Sequence, residues 1–239
     1  MGIPQHYSLE LPARCLRLLE ICDPVVMADG DGERFGGPLT TTLLLALATP
    51  IVNFPFERVY KNIGLGEEQG TADDRQLNTA LSQRLEVEIA RRKLKENEHF
   101  GNLGWSFMSD VPPFNIAEEL KPELADQLQT DETRDRARQM PMAQFVSCLR
   151  NAMAHGGIMY LDREGRTSHG QAEMLLFVSA KHFWPDPVYD SQKGRHVNSR
   201  PITESLRLLR IPQDDFRRFL IGWVKWLEEL GVMEDLKAA

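Results

Sequence analysis

The segment from Pro141 to Gly157, PMAQFVSCLRNAMAHGG, constrains this chain more than any other stretch. Met142, Phe145, Val146, Leu149 and Met153 recur at the spacing of one buried helical stripe. Pro141 suits a first helical turn, where its missing N–H would have had no partner. Gly156-Gly157 supplies a left-handed stop. At about 100° per residue, Arg150, Asn151 and His155 fall off the apolar stripe. Asn151 and His155 are four residues apart and stack on one face, while Arg150 stands roughly 100–140° round from them. The pattern predicts a helix over about 141–155, anchored in a core on one side and carrying a cation, an amide and an imidazole round its far end.

After Gly157 the apolar period falls from 3.6 to 2. Ile158–Leu161 and Met174–Val178 predict two short strands, with 162–170 as their turn, so a β-hairpin is expected over about 158–179. The rest reads as helix and loop. A first helix is expected over 8–22, capped by Ser8. Residues 40–48 are apolar nearly all round and predict a buried helix that Pro50 and Pro55 kink or end. Residues 51–63 continue as helix or extended chain, and 64–71 as a loop. A long charged helix is expected from Asp73 to about Glu98, with Leu77, Leu81, Leu85 and Ile89 along one side. Residues 100–115, with Trp105, Phe107 and Phe114, read as an ordered loop packed by its own aromatics or as a docking surface.

A short helix is expected over 116–130, a polar lead-in over 131–139, and a long surface loop over 181–200. Helices close the pattern over about 201–230, the second striped by Phe216, Phe219, Leu220, Trp223, Val224 and Leu227 and stopped by Gly231. No internal repeat appears, so residues 1–239 are expected to form a single domain. The fold class read from this pattern is mainly α, a helical bundle with a small antiparallel β-hairpin after the 141–155 helix.

Composition narrows the chemistry. A net charge of −7 argues against non-specific coating of nucleic acid by charge alone, though not against a local basic site. Cys15, Cys22 and Cys148 form no CxxC pair and leave an odd count, which fits reduced thiols in a cytoplasmic protein. No positive patch precedes an apolar run at the N-terminus, so no signal peptide is expected. The longest apolar run, Leu43 to Val52, is broken by Thr49-Pro50 and is too short to span a bilayer.

No two histidines sit four apart and no cysteine pairs with one, so no metal site is expected. Asp29-Gly30-Asp31-Gly32 begins like a calcium loop but lacks the closing Glu and reads as a turn. There is no Gly-x-Ser-x-Gly elbow and no phosphate loop, and Gly64-Leu65-Gly66 is too sparse for one. His99, His169, His182 and His196 are scattered and read as loop or surface histidines.

What remains is chemistry that the motif helix can do alone. An imidazole can take a proton from a ribose 2′-hydroxyl or give one to a leaving oxygen, and a guanidinium can hold charge that builds on a phosphate. Leu149-Arg150-Asn151-Ala152-Met153-Ala154-His155-Gly156, an Arg-Asn-(x)3-His at the end of an amphipathic helix, resembles the signature of the HEPN superfamily in its bacterial form. Gly36 to Leu45 also resembles an early helix of one uncharacterised bacterial HEPN subgroup.

The resemblance implies an HEPN-like helical bundle and a homodimer with two copies of the motif meeting in a cleft. It implies cleavage of RNA by its own 2′-hydroxyl, with no metal or other cofactor and no membrane. Arg150, Asn151 and His155 would be the catalytic residues. Arg134, Arg136, Arg138, Arg163 and Arg166, all close in sequence to the motif, are candidates to bind the substrate. Arg91, Arg92, Lys93 and Lys95 could form one edge of an RNA path. Such a protein is expected to act as a toxin or defence component. The alternative is an inactive HEPN-like interaction module that binds a partner such as a nucleotidyltransferase antitoxin.

Overall fold

The computed structural model describes residues 7–62, 73–75, 77, 79–186, 188–190, 195–197 and 200–232. Among these the helices are α1 (Tyr7–Met27), α2 (Thr40–Arg58), α3 (Thr79–Arg91), α4 (Pro122–Leu128), α5 (Asp131–Gln139), α6 (Met142–His155) and α7 (Gln213–Leu227). The strands are β1 (Ser106–Val111), β2 (Ile158–Leu161), β3 (Met174–Phe183), β4 (Val188–Asp190), β5 (Arg195–Val197) and β6 (Ile202–Pro212). Four strands form one antiparallel sheet in the order β1-β6-β3-β2, and β4 pairs with β5 apart from it.

The chain is therefore mixed α/β, which corrects the expectation of a mainly α, HEPN-like helical bundle carrying only a small hairpin. The largest departure is β6. Residues 201–210 read as a helix because apolar residues crowd consecutive positions. In the fold β6 is a central strand with both faces covered. Leu206 and Leu208 enter one core, and Leu209 and Ile211 enter the other. Burial on both faces hides the period of two.

Other boundaries shift for local reasons. Strand β3 runs on through Phe183 and claims the start of the loop expected over 181–200. Strand β1 emerges from the aromatic stretch read as a loop, and α5 forms where a polar lead-in was expected. Helix α2 continues through Pro50 and Pro55 to Arg58. Helix α3 stops at Arg91, after which Lys93 bridges to Pro141. Helix α4 covers only part of 116–130. Ser8 lies inside α1, buried, with its hydroxyl donating to Asp74 Oδ2 at 2.6 Å rather than capping the helix. The loop expected over 64–71 lies outside the described residues.

The sheet separates two apolar cores. On one face Leu175, Phe177, Leu209 and Ile211 pack with residues of α1, α2, α3, α6 and α7. An aromatic cluster holds this side together, with the Trp105 and Phe145 rings edge-to-face at 4.8 Å and Phe100 edge-on to Phe219 at 5.2 Å. Trp223 Nε1 donates to the Ile51 carbonyl at 3.1 Å, so α7 is tied to α2 as well as packed on it. On the other face Leu176, Val178, Leu206 and Leu208 pack against Leu120, Ala125 and Leu128. Helix α6 belongs to the first core through Phe145, Val146 and Leu149, each fully buried. Burial of each such side chain contributes about 1.5–3 kcal/mol, which anchors the helix whose end carries the candidate site. No helix among the described residues is long and apolar enough to cross a membrane.

Candidate functional site

Helix α6 ends as its glycines require. Gly156 adopts φ 69° and ψ 22°, the left-handed region, and the Gly157 N–H donates to the Ala152 carbonyl at 2.8 Å. Gly157 then runs directly against β3. The Val178 N–H donates to the Gly157 carbonyl at 2.7 Å, and a Cβ built on Gly157 would lie 2.2 Å from the Val178 carbonyl oxygen. Only a residue without a side chain lets α6 end this close to the sheet. Strand β2 starts at Ile158, opposite Phe177, so β3 continues past the start of β2, and among the described residues no strand pairs with that edge beyond Val178. The end of α6 lies beside that edge.

A cavity of about 250 Å³ occupies this corner. Asn151 and His155 line it from α6, and Ser179, Ala180 and His182 line it from β3, with Ile116, Val178 and Leu206 as apolar wall. His155 and His182 are both exposed. Ser179 is only 2% exposed, and its hydroxyl has no hydrogen-bond partner. Among the described residues no carboxylate lines the cavity. In contrast, a cavity of about 200 Å³ near α7 is lined by Glu88, Glu96, Glu98 and Glu229, and another beside β2 is lined by Glu118 and Glu119. His99 and His169 pair with such carboxylates, Glu229 at 2.7 Å and Glu119 at 3.2 Å.

Arg150 does not line the cavity. It points toward α2, where its Nε ion-pairs with Glu57 Oε1, and its Nη1 donates to Asn151 Oδ1 at 2.7 Å. Lys61 Nζ also donates to Glu57, at 3.0 Å. Asn151 thus links the arginine to the cavity, while His155 opens onto it directly. The turn of α6 explains the split, since about 100° separates Arg150 from Asn151.

The other candidate cations are spread over the surface. Arg134 pairs with Asp131 at 2.9 Å and Arg136 with Glu132 at 2.6 Å, both along α5. Arg163 pairs with Glu173 at 3.5 Å. Arg166 pairs with Asp126 at 2.6 Å and donates to the Pro122 carbonyl at 2.7 Å. Arg138 is exposed on α5. None of the five lines the His155 cavity. The basic run 91–95 packs beside the N-terminal end of α6, where the Met142 N–H donates to the Arg92 carbonyl. A 14-residue helix, about 20 Å long, separates it from His155.

Cys148 lies on the buried side of α6, its thiol pushed up to about 11 by burial, against a smaller opposing effect of Arg207. That makes it a core residue, not a nucleophile. The described residues contain no cluster of three His, Cys, Asp or Glu side chains placed to hold a metal ion. Sequence reasoning missed Ser179 and His182. The local signal was weak, because Met174–Val178 is a continuous apolar run and the residues that follow it through Phe183 do not alternate. Comparison with protein-family models, with curated proteins and with solved structures finds no match for this chain.

Proposed function

We propose that this chain is an endoribonuclease of the HEPN type, a toxin or defence component that cleaves RNA without a metal at the cavity between the end of α6 and the edge of β3 beyond Val178. The observation that carries this reading is that Asn151 and His155 open together onto a solvent-reachable cavity that no carboxylate among the described residues lines, in a chain whose net charge is −7. A phosphodiester can enter such a cavity without meeting like charge. His155 exchanges a proton with the ribose or with the leaving oxygen, and the Asn151 amide donates to a phosphate oxygen. Cleavage leaves a 2′,3′-cyclic phosphate and a 5′-hydroxyl. Arg150 acts here as a positioning residue, fixing the Asn151 amide through its 2.7 Å hydrogen bond.

Purified protein is expected to cut RNA to cyclic-phosphate ends, and His155→Ala to lose at least a hundredfold of that rate. Intact RNA after prolonged incubation with wild type would sink the reading. A second reading, an interaction module, draws support from a different observation. Arg150 is engaged by Glu57, and Arg134, Arg136, Arg163 and Arg166 each pair with a carboxylate, leaving little positive charge directed at the cavity. A module is harmless when overexpressed alone and copurifies with a partner such as a nucleotidyltransferase. A ribonuclease is toxic alone, and Arg150→Ala relieves the toxicity.

A further inference from the structure

The corner cavity contains more polar chemistry than the α6 motif brings to it. Two imidazoles face one space from different elements, His155 from the end of α6 and His182 from β3. The elements that carry them join at the hydrogen bond from the Val178 N–H to the Gly157 carbonyl. Strand β2 pairs Ile158 with Phe177, so the residues just before β2 run alongside the residues of β3 just after Phe177. Ser179, on the face of β3 that packs toward α6, also lines the cavity, its hydroxyl buried and without a hydrogen-bond partner on the protein. An orphaned buried hydroxyl costs about 1–3 kcal/mol, and a ligand oxygen in the cavity is a partner that removes the cost.

We propose that His182 is a second catalytic residue of this site, acting with His155 as an acid–base pair, and that Ser179 donates to the phosphate held between them. The proposal rests on the ribonuclease reading and adds to it the group that a single imidazole lacks. The 2′-oxygen attacks phosphorus as its proton passes to the neutral imidazole. The bond from phosphorus to the 5′-oxygen breaks as that oxygen takes a proton from the other, protonated imidazole. One P–O bond forms, one breaks, and the enzyme ends with one proton gained and one lost. No oxidant, reductant or water is consumed. Both imidazoles come from one chain.

The test compares wild type, His155→Ala, His182→Ala and Ser179→Ala on an oligoribonucleotide and on the same oligoribonucleotide with sulfur replacing the bridging 5′-oxygen at the cut. The thiolate leaves without protonation, so it restores the variant that lacks the acid and not the one that lacks the base. Expected are losses of 10²–10⁴-fold for each histidine variant on the oxygen substrate. The sulfur substrate should recover one of the two variants to within about tenfold of wild type and leave the other impaired. Ser179→Ala should raise KM more than it lowers kcat. His182 is exposed, so His182→Ala should keep the wild-type thermal midpoint. Wild type that cuts neither substrate overturns the ribonuclease reading and this proposal with it. Cleavage lost in His155→Ala but kept within twofold in His182→Ala overturns the role of His182 alone. Equal loss in both histidine variants with no recovery on sulfur also overturns the acid–base pair.

Discussion

At the scale of single residues, the site depends on what each polar side chain meets. His155 was readable as an exposed side chain, because a helical wheel drawn on 141–155 places it opposite the apolar stripe. The direction of Arg150 was not readable. Its partner Glu57 lies on α2, far off in sequence, and no local pattern predicts that pairing. The same holds for Asp74, a buried carboxylate in a stretch read as the start of a helix. Its oxygens accept from Arg58 at 2.8 and 3.0 Å and from Ser8 at 2.6 and 3.1 Å. Burial alone would raise its pKa, but the hydrogen bonds from Arg58 and Ser8 outweigh it and hold the carboxyl below its ordinary value. A depressed folded-state pKa contributes stability above the unfolded value of about 3.9 and loses it as pH falls through the lower folded value. Asp74→Asn is therefore expected to cost about 3 kcal/mol near neutral pH. Its denaturation midpoint should converge on that of wild type below about pH 4. A gap that stays constant down to pH 2 in urea titrations would show that the carboxylate charge contributes nothing.

At the scale of elements, α6 was legible because its stripe, its proline start and its glycine stop are all local signals. The pairing of Ile158–Leu161 with the start of β3 was legible for the same reason. Strand β6 was not legible, since Leu206, Leu208, Leu209 and Ile211 serve two cores at once and erase the alternation. Strand β1 was hidden by Trp105 and Phe107, whose rings fill the helical core and so read as loop packing. The joint between α6 and β3 gives an element-level prediction. Gly156→Ala meets no neighbour but must hold a left-handed φ, at a cost of about 1 kcal/mol. Gly157→Ala drives a Cβ into the Val178 carbonyl and is expected to cost about 1–3 kcal/mol while shifting His155 away from β3. Thermal melts and cleavage assays on both variants should therefore separate. Gly156→Ala keeps cleavage, whereas Gly157→Ala loses it at temperatures where the protein is still folded.

At the scale of the whole molecule, the homodimer that the HEPN resemblance implies would need a surface to form on. Leu18, Ile21 and Val25 lie within one narrow arc of α1 and are 49%, 52% and 68% exposed. Singly exposed apolar residues need no explanation, but a helical stripe of three is a natural contact between copies. Ile21→Glu is expected to leave the thermal midpoint unchanged and to convert a dimer into a monomer by sedimentation. Wild type that already sediments as a monomer at micromolar concentration would rule out that contact.

The placing of β6 between β1 and β3 also has a consequence for how the protein is made. Translation delivers β1, α6, β2 and β3 before residues 202–212, yet the sheet has no middle until β6 slides into place. Until then, among the described residues, β3 has no strand partner along Ser179–Phe183, the stretch carrying Ser179 and His182. A nascent chain that lacks β6 therefore lacks the Leu206 wall of the corner cavity, and any cutting activity there arises only after residues 202–212 have left the exit tunnel.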